Sequence, residues 1–162
     1  MAKRLRRKKI GTKHFGPIIE VTDPCYNKDV WCRMNDVKIV EGEYACIIWR
    51  HTEKYTYEGR EVTDTRVGRI GIYLDGIIPQ QKAMEQIGEI GVDAGLAGFF
   101  MDKPDYTGDE WPAFCNSIGW KKDAWIKPEG FFSSSGYGDG GYPVVAGKNK
   151  DGEITSLEII FI

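Results

Sequence analysis

Hydrophobic and polar residues alternate along much of this chain, in short runs broken by glycine, proline and aspartate. Residues 17–22 (PIIEVT) read as a short strand that Asp23-Pro24 stops, since proline restricts the residue before it and donates no hydrogen bond. Residues 25–36 read as a loop holding Tyr26, Trp31 and Cys32. The longest strand-like run is 43–57. It places Tyr44, Cys46, Ile48, Arg50 and Thr52 on one face and Ala45, Ile47, Trp49 and His51 on the other. Apolar groups on both faces near Ile47 predict an interior strand. Residues 65–74 form a second run, closed by the turn pair Asp75-Gly76. Residues 89–93 and 98–102 read as further strands, joined through Ala94-Gly95-Leu96-Ala97. Residues 142–146 and 153–162 flank the turn Lys150-Asp151-Gly152 as a hairpin.

Two segments carry helical period instead. Pro79 can open a short helix over 79–85. In 109–121, Trp111, Phe114, Cys115 and Ile118 fall at i, i+3, i+4 and i+7. Asp109 stands at the N-cap, Pro112 in the first turn and Gly119 at the stop. The expected fold class is therefore mainly β (α+β): an antiparallel sandwich or partly open barrel with one or two short helices.

Charge divides the chain unevenly. Residues 1–13 contain seven basic side chains and no acid, and the remainder carries −9. The reading is a basic N-terminal arm over 1–14 on a single acidic β-rich domain over 15–162. The bland account of the arm is a solvated terminus. The sharper one has Arg4, Arg6, Arg7, Lys8 and Lys9 touch nucleic acid. No aromatic precedes Phe15, so base stacking by the arm is unsupported. No apolar run reaches the roughly 20 residues of a membrane span, and no apolar core follows the charged start as in a secretory signal. A cytoplasmic protein without a membrane partner is expected.

Chemistry is harder to find. Cys25, Cys32, Cys46 and Cys115 lack the tight pairing of a zinc site and read as free thiols. Cys25 with His51 as base would be a nucleophilic pair, weighed against a packed cysteine. The run Ser135-Gly136-Tyr137-Gly138-Asp139-Gly140-Gly141-Tyr142-Pro143 concentrates glycine around one carboxylate. It lacks the following helix and basic residue of a phosphate loop. Asp23, Asp93, Asp102 and Asp139 each suit turn chemistry. If Asp23, Asp93 and Asp139 met in one cleft, they could hold a hard divalent cation or divide acid and base roles. Otherwise no cofactor is expected. Tyr137 and Tyr142, beside glycines, are expected at the surface, as contact residues for a protein partner. The five tryptophans read as core and rim.

Three segments, Val21-Thr22-Asp23-Pro24-Cys25-Tyr26, Gly91-Val92-Asp93-Ala94-Gly95-Leu96-Ala97-Gly98 and 135–144, together resemble an uncharacterised family of small bacterial and bacteriophage proteins, a domain of unknown function. The resemblance implies a β-rich domain from bacteria or their mobile elements, implies no reaction, and nominates Asp23, Cys25, Asp93, Asp139 and Tyr142. Two functions are weighed. The first is a non-catalytic protein-binding module, a phage or mobile-element inhibitor of a host system acting through an acidic, aromatic surface. The alternative is a metal-dependent hydrolase built on Asp23, Asp93 and Asp139.

Overall fold

The alternating runs become eleven strands in a computed structural model that describes residues 4–162. The strands are β1 (Arg6–Phe15), β2 (Ile18–Thr22), β3 (Met34–Lys38), β4 (Gly42–Tyr57), β5 (Arg60–Leu74), β6 (Glu85–Val92), β7 (Leu96–Phe100), β8 (Ala124–Lys127), β9 (Gly130–Ser134), β10 (Gly140–Lys148) and β11 (Ile154–Ile160). One helix, α1 (Glu110–Ile118), and one 3-10 turn (Gln81–Ala83) complete the described elements. The strands make two antiparallel sheets: β1-β4-β5-β11-β10-β6, and β3-β2-β7-β9-β8. The architecture is a β sandwich.

Side-chain alternation builds the core between the sheets. Cys46 pairs with Ile72 and Ile48 with Ile70. Their inward faces meet Ile19, Val21, Phe99 and Phe131 from the second sheet. The predicted interior strand lies between β1 and β5. Both outer faces are also covered in part. Phe114 and Ile118 of α1 pack on Phe100, Phe132 and Trp125, and Trp125 Nε1 donates to Ile118 O at 3.1 Å. Gly119, at φ 62°, ends the helix where expected. Asp109 stands at the N-cap as expected, but its backbone is in the helical region and its side chain makes no cap bond.

On the outer face of the six-stranded sheet, Ala45, Ile47 and Tyr73 pack with Ile78 of the β5–β6 connection. A fully buried carboxylate lies here. Glu158 accepts from the Tyr73 hydroxyl and from Gln81 Nε2, each at 2.5 Å, and Trp49 Nε1 donates to the Tyr73 oxygen at 3.0 Å. Burial and the nearby Glu158 charge push the Tyr73 phenol well above its ordinary range, so it stays a donor.

The N-terminal residues depart from the arm expected of them. Residues 4–14 are not a solvated arm on a domain starting at 15. β1 pairs with β4 from Arg6 opposite Arg50 to Phe15 opposite Gly42, and Phe15 is fully buried. An edge strand is held by backbone hydrogen bonds, and charged side chains there discourage further pairing; such a strand shows no apolar alternation. Lys3 lies outside the described residues. β5 begins earlier than expected because Glu58 and Gly59, at φ 50° and 76°, form a two-residue hairpin turn. Among the described residues no helix is long and apolar enough to cross a membrane.

Candidate functional site

The three distinctive sequence segments meet at one end of the sandwich. β2 ends at Thr22, which pairs with Gly98 of β7. Asp23 follows and is fully buried. Its Oδ1 accepts from the Cys25 amide at 2.9 Å. Its Oδ2 accepts from the amides of Asp93 and Ala94 at 2.8 and 2.7 Å. The β6–β7 turn is thereby tied to the end of β2. The third segment joins through Ser135, whose amide donates to Gly95 O at 2.8 Å, and through the pairing of Gly140 with Val92 and Gly141 with Gly91.

The loop after Asp23 is held over this junction. Arg33 donates to Tyr26 O at 2.6 Å and to Asn35 Oδ1 at 2.7 Å, and its Nη2 pairs with Glu20 Oε2 at 2.8 Å. A buried guanidinium thus stitches both ends of the loop to β2. Cys32 O accepts from the Gly91 amide at 2.8 Å, docking the loop on edge strand β6.

Between loop and sheet lies a cleft of about 450 Å³. Tyr26, Trp31 and Cys32 wall one side. Gly91, Gly140 and Gly141 form a floor without side chains. A Cβ on Gly91 would come within 2.9 Å of Cys32 Sγ, and one on Gly141 would strike the Glu89 carboxylate. The paired glycines therefore create the concavity. Glu89 lines it, and the exposed Asp93 and Asp139 adjoin its lining residues Val92 and Gly140. Trp31 is 91% exposed at its edge. Burial, then the hydrogen bond with Cys32, raises the Tyr26 phenol, which remains a neutral hydroxyl.

The Asp93 amide therefore reaches the Asp23 carboxylate, and Asp139 adjoins the same cleft through Gly140, but the three carboxylates are not arranged as a metal set. All three contacts of the Asp23 carboxylate are backbone amides, and among the described residues no group of three His, Cys, Asp or Glu is arranged to hold a metal ion. Burial raises the Asp23 carboxyl, and its three amide donors oppose that shift. Asp102, at φ 54°, is an exposed turn residue after β7. Cys25 and His51 do not form a pair. His51 places its ring nitrogens 3.2 Å from Arg4 O and 3.1 Å from Glu53 Oε1. Burial, then the Asp23 charge, pushes the Cys25 thiol far above its ordinary value, the opposite of nucleophile activation. All four cysteines are free.

Tyr137 and Tyr142 are half-buried rather than displayed. The Arg66 guanidinium sits over the Tyr137 ring at 5.5 Å. Tyr142 packs edge-on against Phe161 at 5.0 Å and donates to Gly138 O at 2.8 Å. Both anchor the glycine segment. The displayed aromatics are Tyr55 and Tyr57 of β4 and, most exposed of all, Trp31 and Trp120, two of the tryptophans expected in core and rim. The available signal for Trp31 was its place in a polar loop with no apolar periodicity to bury it.

The basic residues lie along the opposite sheet edge. Lys8 and Lys9 line a groove with Arg50, Lys121 and Lys122. Arg50 donates to both Asp123 oxygens at 2.8 and 2.7 Å. This hydrogen-bonded guanidinium holds the Asp123 carboxyl below its ordinary 3.8. A depressed carboxyl contributes stability that is present above 3.8 and lost as pH falls through the folded value. Asp123→Asn is therefore expected to flatten the acid limb of stability below about pH 4. Urea midpoints of both proteins from pH 5 to pH 2 check this; parallel acid limbs would refute it.

No family model, curated protein or solved structure matches this chain.

Proposed function

We propose that this chain is a non-catalytic protein-binding module that captures a basic segment of a partner in the cleft between the 25–33 loop and β6–β10. The observation that carries the reading is the combination at one cleft of a displayed indole, Trp31, with the Glu89 carboxylate over a glycine floor. An exposed indole supplies a large rigid contact and a face for a guanidinium or ammonium group. Glu89, with Asp93 and Asp139 nearby, supplies the opposite charge that selects a cationic partner. The volume of about 450 Å³ is ample for a large cationic side chain. By its sequence resemblance, the proposal extends to a bacteriophage or mobile-element origin and to inhibition of a host protein.

The alternative metal-dependent hydrolase has less support, since the Asp23 carboxylate already serves backbone amides. An array of fluorescein-labelled peptides with arginine or lysine at each position, read by anisotropy, tests the proposal. Arginine-containing peptides are expected to bind, and Trp31→Ala to weaken them about 30-fold, as a central aromatic anchor does. Glu89→Gln should lower affinity less and reduce its salt dependence. Equal binding to the wild type and Trp31→Ala would remove this cleft as the binding site.

A further inference from the structure

The edge opposite the acidic cleft carries a second feature. β1 and β6 are the two edges of the six-stranded sheet. β1 closes against β8 of the other sheet. A Cβ on Gly11 would meet Ile126 at 2.8 Å, and Lys13 Nζ donates to Pro128 O at 3.0 Å. At this seam β1 is bulged. Lys9 pairs with Ile47 and Gly11 with Cys46, leaving Ile10 as an extra residue. The bulge breaks side-chain alternation, so the consecutive Lys8, Lys9 and Ile10 all line one groove of about 400 Å³. The connection from α1 to β8 brings Lys121 and Lys122 to the same groove. Its one carboxylate, Asp123, is taken by Arg50. Among the described residues none of the four lysines is in an ion pair. A second concavity of about 400 Å³, lined by Arg4, Arg6 and Thr52, continues the basic track along β1. Trp120, immediately before Lys121, is 80% exposed.

We infer that this seam is a binding site for single-stranded nucleic acid. The lysines and arginines of β1 and the α1–β8 connection track the phosphates, and Trp120 stacks on a base. A concave cationic track with an exposed indole is the arrangement that binds single strands without sequence readout, because every base offers a π face. Sequence order hid it: the basic residues near the N-terminus and the indole at 120 share no local pattern, and only the β1–β8 seam brings the two segments together.

Anisotropy with fluorescein-labelled 15-mers of dT and of rU, from 50 to 300 mM salt, tests the inference. Both arms are read, since the site contacts phosphate and base faces common to DNA and RNA. Affinity is expected to fall with salt at a log–log slope of about −3, corresponding to four or five phosphates. Lys121→Glu with Lys122→Glu should weaken binding at least tenfold and shallow the slope. Trp120→Ala should weaken binding about tenfold with the slope unchanged, and Trp120→Phe should restore most of it. Trp31→Ala, at the opposite edge, should leave it intact. Absence of salt-sensitive binding, wild-type affinity in Trp120→Ala, or tighter binding to duplex DNA or to phosphatidylserine vesicles than to either 15-mer would overturn the inference.

Discussion

Replacing Asp23 with alanine is expected to lower the free energy of unfolding by about 3 kcal/mol, because three part-buried backbone amides lose the buried carboxylate that accepts from them. The acceptor links segments distant in sequence: Cys25 on its own loop, and Asp93 and Ala94 some seventy residues away. The loss should be local first. Exchange protection of the Asp93 and Ala94 amides is expected to fall before that of β4 and β5, where the deepest core residues sit. Asp23→Asn is a sharper test. Its amide group can replace one oxygen as acceptor, but its nitrogen would face an N–H donor. A cost close to that of alanine is expected. Urea unfolding with hydrogen exchange measures both. A change under about 0.5 kcal/mol in Asp23→Ala, the size of an ordinary surface substitution, would show that the carboxylate is not the tie.

The second large effect concerns two glycines of the 135–144 segment that look alike in sequence. Gly136 has φ 73°, and a Cβ there would overlap the Val67 carbonyl oxygen. Gly138 has φ 85°, with nothing within 4 Å of the same position. Alanine at 138 pays only for the left-handed backbone, about 1–2 kcal/mol. Alanine at 136 adds the displacement of backbone in β5, so a total of about 3 kcal/mol or more is expected. Thermal unfolding of the two variants checks the order. If Gly138→Ala were the more damaging, the contact between this segment and β5 would be wrong. Because Arg66 stacks on Tyr137 and donates to Gly136 O at 3.1 Å, Gly136→Ala should also disturb that contact.

These two cases show what was legible and what was not. The strands β2, β4, β5, β10 and β11 followed from apolar runs bounded by turn residues, and each sends one face into the core between the sheets. The helix followed from its 3.6-residue apolar stripe, and ends at Gly119 for the reason expected. β8 and β9 were missed. Phe131 and Phe132 are both fully buried, one in the core between the sheets and one under α1, and a strand buried on both faces shows no alternation. β1 was missed for the converse reason, since its charged residues lie at an edge.

For the site, the three informative segments were recognised, and they do meet. Their roles were not legible. Asp23 reads as a turn residue, but its carboxylate is taken by amides of its own loop and of the β6–β7 turn. Tyr137 and Tyr142 read as exposed beside glycines, but Arg66 of β5 and Phe161, just past β11, cover them. Gly91 and Gly141 are ordinary in sequence and become a cleft floor only by standing opposite each other.

By itself, the sequence determined the β-rich class, most strand positions, the helix and the turn residues, because these depend on local period and backbone preference. The tertiary structure alone decided which face of each edge is open, which aromatics are displayed, and that an acidic cleft and a basic groove occupy opposite edges of one sheet. Those depend on strand order and register, which bring together residues that no local pattern links.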